Sequence, residues 1–130
     1  MFIVAAEREF TWPVEFHQVG EDGQRTVKSV PFRFRQIRNS AFVKLQRDLR
    51  EIGAAAQTDE EALAAAADAY QRIVGGWDSS KIAGEDGAPL EFSREALMLL
   101  LDMPHAGLAI LAAYAEATSP AGREERRRGN

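Results

Sequence analysis

Two stretches of this chain alternate strictly between apolar and polar residues, and that alternation constrains the fold more than any other feature. Between Glu9 and Gln18, the side chains of Phe10, Trp12, Val14 and Phe16 fall on one phase and Thr11, Glu15 and His17 on the other. A period of two is the signature of a half-buried strand. Pro13 lies on the polar phase and has no N–H for a ladder bond, so an edge position or a bulge is expected there. Gly20-Glu21-Asp22-Gly23 is turn chemistry, after which Val30, Phe32 and Phe34 alternate with Arg33 and Arg35. The two strands make a hairpin with one aromatic and one charged face. A lone hairpin is marginal in water, so the aromatic face must rest on helices, on a third strand from residues 2–6, or on a partner.

Helical periodicity takes over after residue 39. Phe42, Leu45, Leu49 and Ile52 form a narrow apolar stripe, which predicts a first helix from about Ser40 to near Ala56, with Lys44, Arg47 and Arg50 facing water. Thr58 and Glu61 stand at capping-box spacing, with Asp59 the alternative cap, before an alanine-dense second helix whose face is Leu63, Ala66, Ala67, Tyr70 and Ile73. A third helix is expected over Arg94 to about Leu101, with Leu97, Leu100 and Leu101 inward. Pro104 reads as the first residue of a fourth helix carrying Leu108, Leu111, Tyr114 and Ala115 on one stripe and Ile110 to the side. The fold class expected is α+β, a hairpin of two or three antiparallel strands followed by about four helices. Residues 1–118 would form one domain and residues 119–130 a flexible charged tail.

Between the second and third helices lies a clasp. Gly75 and Gly76 read as the positive-φ stop of the second helix, with Ile73 and Val74 as its last apolar anchors. Trp77 is expected to be largely buried, wedged between that helix and the Leu90–Phe92 segment. Asp86-Gly87 is a turn, and Pro89 fixes the exit. Phe92 flanks Ser93, which reads as the N-cap of the third helix, with Glu95 in its first turn.

Chemistry-bearing patterns are scarce. The two histidines, His17 and His105, have no second ligand at metal spacing, and there is no cysteine, so no zinc site is expected. The acids between Asp78 and Asp86 do not fit a calcium loop, because Lys81 and Ile82 occupy its interior. Gly75-Gly76 with Lys81 lacks the Gly-Lys-Ser/Thr pair of a phosphate loop. No catalytic residue, metal or cofactor is assigned, and the chain is read as non-enzymatic.

The run Ala96–Ala115 is nearly apolar, but Asp102, Pro104 and His105 interrupt it, so two short buried helices are expected rather than a membrane span. The amino terminus lacks the basic start and long apolar run of a signal peptide, and a cytoplasmic location is expected. Charge is segregated within a net −4. Residues 28–50 carry seven Lys/Arg against one acid, and residues 51–102 carry eleven acids against three bases. No base-stacking or groove-reading motif accompanies the basic segment, so charge complementarity within the fold or between copies is preferred to nucleic-acid binding.

The order of these pieces resembles the phage tail assembly chaperones of long-tailed bacteriophages. The resemblance runs through Thr11-Trp12-Pro13-Val14, the Gly/Asp turn and Phe32-Arg33-Phe34-Arg35. It continues through Gly76-Trp77-Asp78, Asp86-Gly87, Pro89-Leu90 and Phe92-Ser93. It ends with the Leu-rich helix, Pro104, the Ala113-Tyr114 helix and a basic tail closing on Asn130. The resemblance implies a non-enzymatic protein that binds the long, apolar, helix-rich tape measure protein. It would keep that client soluble while tail tube subunits polymerise around it, and be absent from the finished particle. Many members of that family are also made in a longer form by translational frameshifting near the C-terminus. The expected partners are the tape measure protein and the tail tube protein, with self-association as a further expectation. Contact residues are expected on the last two helices, at Leu97, Leu100, Leu101, Leu108, Leu111 and Tyr114, with Arg123, Arg126, Arg127 and Arg128 of the tail assisting. The alternatives are a structural head–tail or minor tail component, which would co-purify with virions, and a nucleic-acid-binding regulator using residues 28–50.

Overall fold

The computed structural model describes residues 1–4 and 8–119. It is α+β: strands β1 (Arg8–Val19) and β2 (Arg25–Gln36), helices α1 (Asn39–Ala55) and α2 (Asp59–Tyr70), strand β3 (Val74–Trp77), a 3-10 turn at Ser79–Lys81, and helices α3 (Arg94–Leu101) and α4 (Ala106–Thr118). The three strands form one antiparallel sheet in the order β1-β2-β3.

The hairpin register places Phe10 opposite Phe34, Trp12 opposite Phe32 and Val14 opposite Val30, so one face of the sheet is continuous apolar surface. Val14, Val30, Phe32 and Phe34 are buried. Pro13 and Pro31 face each other across the two strands. The Pro31 carbonyl accepts from Asp78 N on the β3 side, so this opposed pair is one that exchanges no bonds between β1 and β2. The missing N–H groups therefore cost the hairpin nothing. The turn closes through Gly20 N to Gln24 O at 2.8 Å, with Gly23 at φ 81° and the Asp22 carboxylate accepting from Gln24 N.

The third strand is not drawn from residues 2–6. Residues 2–4 are exposed coil, and residues 5 and 6 lie outside the described residues. Val74-Gly75-Gly76-Trp77 pairs with β2 instead, with a register shift at Arg33/Phe34. The glycine pair is thus a strand element, not a helix stop: α2 ends at Tyr70, and neither glycine has positive φ. Its role is clearance. A Cβ on Gly76 would stand 2.8 Å from the Arg33 guanidinium, and one on Gly75 would touch Arg35 at 3.5 Å. The two arginines lie across this bare backbone and donate to it, Arg33 to Gly75 O at 3.1 Å and Arg35 to the carbonyls of Gln71 and Val74.

Trp77 is half-buried, less than expected, and its apolar neighbour in the sheet is Phe32 rather than a residue of α2. The ring centroids of Trp77 and Phe32 are 5.5 Å apart, and Phe92 meets the indole edge-on at 4.9 Å. The indole Nε1 donates to Leu90 O at 2.8 Å. Leu90 is itself held by its N–H on Ile82 O, and the intervening turn uses Gly87 at φ 80°.

The helices start as their caps dictate. Thr58 accepts from Glu61 N at 3.1 Å, and the Glu61 carboxylate reaches back to Gln57 N; Ser93 accepts from Ala96 N at 3.0 Å. Pro104 does not open α4. The chain turns through it, and His105, at φ 63°, precedes the first helical residue, Ala106. The face of α4 also differs from expectation. Ala106, Ile110, Ala113, Tyr114 and Ala117 are buried, whereas Leu108 and Ala115 are exposed. A helix apolar all round has no face that periodicity can single out. Small residues turned inward let α4 lie close to its neighbours, and the larger leucines are left outside. Gly107 shows how close: a Cβ there would come 2.6 Å from the Oη of buried Tyr70 on α2.

Ion pairs tie helices together at the surface. Arg94 grips Asp68 bidentately at 2.7 and 3.1 Å, joining α3 to α2, while Asp48 on α1 accepts from Lys44 and Arg72. None of these three contacts joins a base of residues 28–50 to an acid of residues 51–102, so the expected complementarity between the two segments is not what they express.

Two stability outcomes follow. Trp77→Ala should cost about 2–3 kcal/mol in denaturant unfolding, below the cost for a fully enclosed tryptophan, while Trp77→Phe should cost about 1 kcal/mol for the lost bond to Leu90. Gly107→Ala, which stabilises an ordinary helix by about 0.5–1 kcal/mol, should here lower stability by about 1 kcal/mol through overpacking. Adding Tyr70→Phe to Gly107→Ala should recover part of that loss, which a double-mutant cycle measures.

Candidate binding surface

The structure separates the expected contact residues into three groups. Leu97 and Tyr114 belong to the core: both rings and branches are enclosed, and Tyr114 contacts Phe10, Phe34 and Phe42 while its hydroxyl accepts from Ile37 N at 3.1 Å. They are corrected from surface to interior residues. Leu100, Leu101 and Leu111 are half-buried against that core. Leu108 alone of the six is open to solvent. Arg123, Arg126, Arg127 and Arg128 lie outside the described residues. Among the clasp residues, Gly75 and Gly76 are in β3, Trp77 and Phe92 stack edge-on, and Ser93 caps α3.

Leu108 is not isolated. Leu99 is 60% exposed, Met103 53% and Leu108 66%, and the three follow one another around the corner where α3 turns into α4. The two helices meet there at 105°. Neither is long and apolar enough by itself to cross a membrane. Leu99 escaped the sequence reading because Leu97-Met98-Leu99-Leu100-Leu101 is apolar at every position and offers no polar phase to orient it, and Met103 because it lies in the Asp102-Met103-Pro104 break, outside any helical period.

Beside this corner, α4 packs along β1, leaving an open groove of about 330 Å³. Leu108, Ala109 and Ala112 line one wall and Pro13, Glu15 and His17 the other. His105 and Glu116 mark positions towards the two ends of α4. Among the described residues no three His, Asp or Glu side chains stand close enough together to hold a metal ion.

The perturbed titrations lie elsewhere and have local causes. Lys44 and Arg72 lower the Asp48 carboxyl, Arg94 lowers Asp68, and the Ser80 hydroxyl and N–H lower Asp78. Burial pushes the Tyr70 hydroxyl up to about 12. These groups sit at separate ion pairs, at a turn and in the core, so they assemble no acid–base site. Exposed large apolar side chains beside a groove have the character of surfaces at which protein contacts form.

A comparison with curated proteins and one with solved structures give no match. A family model described as phage tail assembly chaperone matches residues 1–130, the whole length. That match spans the aromatic hairpin, the Gly-Gly-Trp strand and the leucine-rich helical corner alike, and the chain belongs to the phage tail assembly chaperone family.

Proposed function

We propose that this protein is a non-enzymatic chaperone that binds the tape measure protein in the cytoplasm of the bacterial host during tail assembly, and that it does so through the corner between α3 and α4. The observation that carries the reading is the exposure of Leu99, Met103 and Leu108 at that corner. Three large apolar side chains left in water next to a groove suit a helical client that offers its own apolar stripe at i, i+3, i+4 and i+7. Met103 adds an unbranched, adaptable side chain, the kind that accommodates varied partners. Leu100, Leu101 and Leu111, half-buried at the margin, extend the contact when the client is seated. The arginines Arg123, Arg126, Arg127 and Arg128 supply an auxiliary attraction to acidic client segments that weakens with salt. The tail tube protein is the second partner in this reading, through its assembly around the client.

Co-expression with the tape measure protein is the test. The parent chain should raise the soluble yield of the client and form a complex that survives gel filtration. Leu99→Glu combined with Leu108→Glu should abolish that complex while changing the unfolding free energy by no more than about 0.5 kcal/mol, as expected for surface substitutions. A client equally soluble with and without this chain would refute the chaperone assignment. A complex untouched by the double substitution would refute the corner as its contact surface.

A further inference from the structure

We infer that the groove between α4 and β1 is the seat of the segment that follows α4, residues 120–130, which folds back along it in the free protein. The groove has an apolar floor from Leu108, Ala109 and Ala112 on one side and Pro13 on the other. Glu15 stands on its β1 wall and Glu116 on its α4 wall, beside the imidazoles of His17 and His105. Among the described residues no lysine or arginine lines it. Acids on both walls over an apolar floor call for an occupant that is basic and partly aliphatic.

The segment after α4 has that chemistry. It lies outside the described residues, and its sequence holds Arg123, Arg126, Arg127 and Arg128 against Glu124 and Glu125. An arginine lays its aliphatic stem on apolar surface while its fork takes a carboxylate. The path is short. Glu116 is in the last turn of α4, so the groove ends where the segment begins. Ser119, at φ −83° and ψ 131°, has already left the helix, and Pro120 cannot resume it. Pro120-Ala121-Gly122 is turn chemistry suited to reversing the chain. From Leu108 to Glu116 the groove runs about 12 Å at the helical rise, whereas residues 120–130 reach about 36 Å when extended. A turn at the start therefore leaves enough chain to cover the whole groove.

Tethering selects this occupant over others. A segment joined to the groove's own end is held at an effective concentration on the order of millimolar, which a free peptide of the same chemistry must exceed to displace it. The other unpacked terminal segment, Met1–Val4, is exposed and is not seated there. Leu108 belongs to the groove and to the apolar corner alike, so the seated segment shields one of the corner's three exposed side chains. One consequence rests on the client reading proposed above: a client that takes Leu108 lets the arginines exchange Glu15 and Glu116 for acidic client segments.

The sequence has no cysteine, so an introduced pair reports the seat directly in the full chain. Ala112→Cys with Arg126→Cys should form an intramolecular disulfide under mild oxidation at least about tenfold faster than Val43→Cys with Arg126→Cys. Val43 is exposed on α1 next to Phe42, whose ring meets Tyr114 of α4, so it lies within reach of the segment but off the groove. Reversing both acids, Glu15→Arg with Glu116→Arg, should bring the first rate down towards the second. Ala112, Val43, Glu15 and Glu116 are all exposed, so circular dichroism should not change. As a second readout, the Leu108 methyl resonances should shift when residues 120–130 are deleted, while those of Val43 stay in place. The proposal is overturned if the two pairs oxidise at the same rate, if charge reversal leaves the first rate unchanged, or if the Leu108 methyl resonances are the same with and without residues 120–130. None of these measurements involves a client, so their failure leaves the client assignment standing, and a failed co-expression leaves the seat standing.

Discussion

Contact between the aromatic face of the sheet and the tyrosine of the last helix holds the structure together. Phe32 and Phe34, 5.9 Å apart in β2, touch rings from β1, β3 and α4. Phe10 and Phe16 reach them from β1, Trp77 from β3 and Tyr114 from α4, and Tyr114 passes the contact to Phe42 on α1. Each such ring removed from water contributes roughly 1.5–3 kcal/mol before conformational entropy is counted. A hairpin cannot keep this face dry by itself, so strands and helices stand or fall together. The Tyr114 hydroxyl adds direction to the contact by accepting from Ile37 N, just before α1 begins.

Much of this was legible in the sequence, and the failures share a physical origin. The alternation of Phe10 to Phe16 and Val30 to Phe34 located both long strands, because period two with one aromatic phase has few other solutions. Thr58 and Ser93 located two helix starts, because a side-chain oxygen at the cap satisfies a specific backbone donor. Gly75-Gly76 misled, because glycine marks either a left-handed backbone or a close approach, and local sequence does not separate the two. The approaching group here is Arg33, 42 residues away in the chain. The face of α4 misled for the opposite reason. With Ala and Leu on all sides, the burial of Ile110 and the exposure of Leu108 are decided by the elements α4 packs on, β1 foremost, not by α4 itself. The same indifference hid Leu99.

That pattern bears on how this chain divides its apolar residues between interior and surface. The interior contacts of α4 are made largely by Ala106, Ile110, Ala113 and Ala117, with a single large ring at Tyr114. Alanines give a helix close packing at little cost in side-chain entropy. Leucines that would ordinarily fill a core are thereby released to the surface, where they lie on a rigid helical corner. In the proposed reading, a preordered apolar surface loses less freedom on binding than a loop would. The charged pairs work at the surface instead: Arg94–Asp68 joins α3 to α2, and Arg72, just after α2, is joined to Asp48 on α1.

The reach of Tyr114 back to Phe10 and Phe34 also sets the order of events while the chain is being made. The hairpin is synthesised first, but the residue that closes over its rings comes some eighty positions later than Phe34. Contacts of such long sequence separation form late and slow the approach to the native state. Translation proceeds at roughly 5–20 residues per second, so the aromatic strands spend several seconds with no helix α4 to cover them. Final closure of the core therefore waits on the last helix to leave the ribosome, and this assembly factor is itself, for those seconds, a nascent chain with an uncovered aromatic sheet.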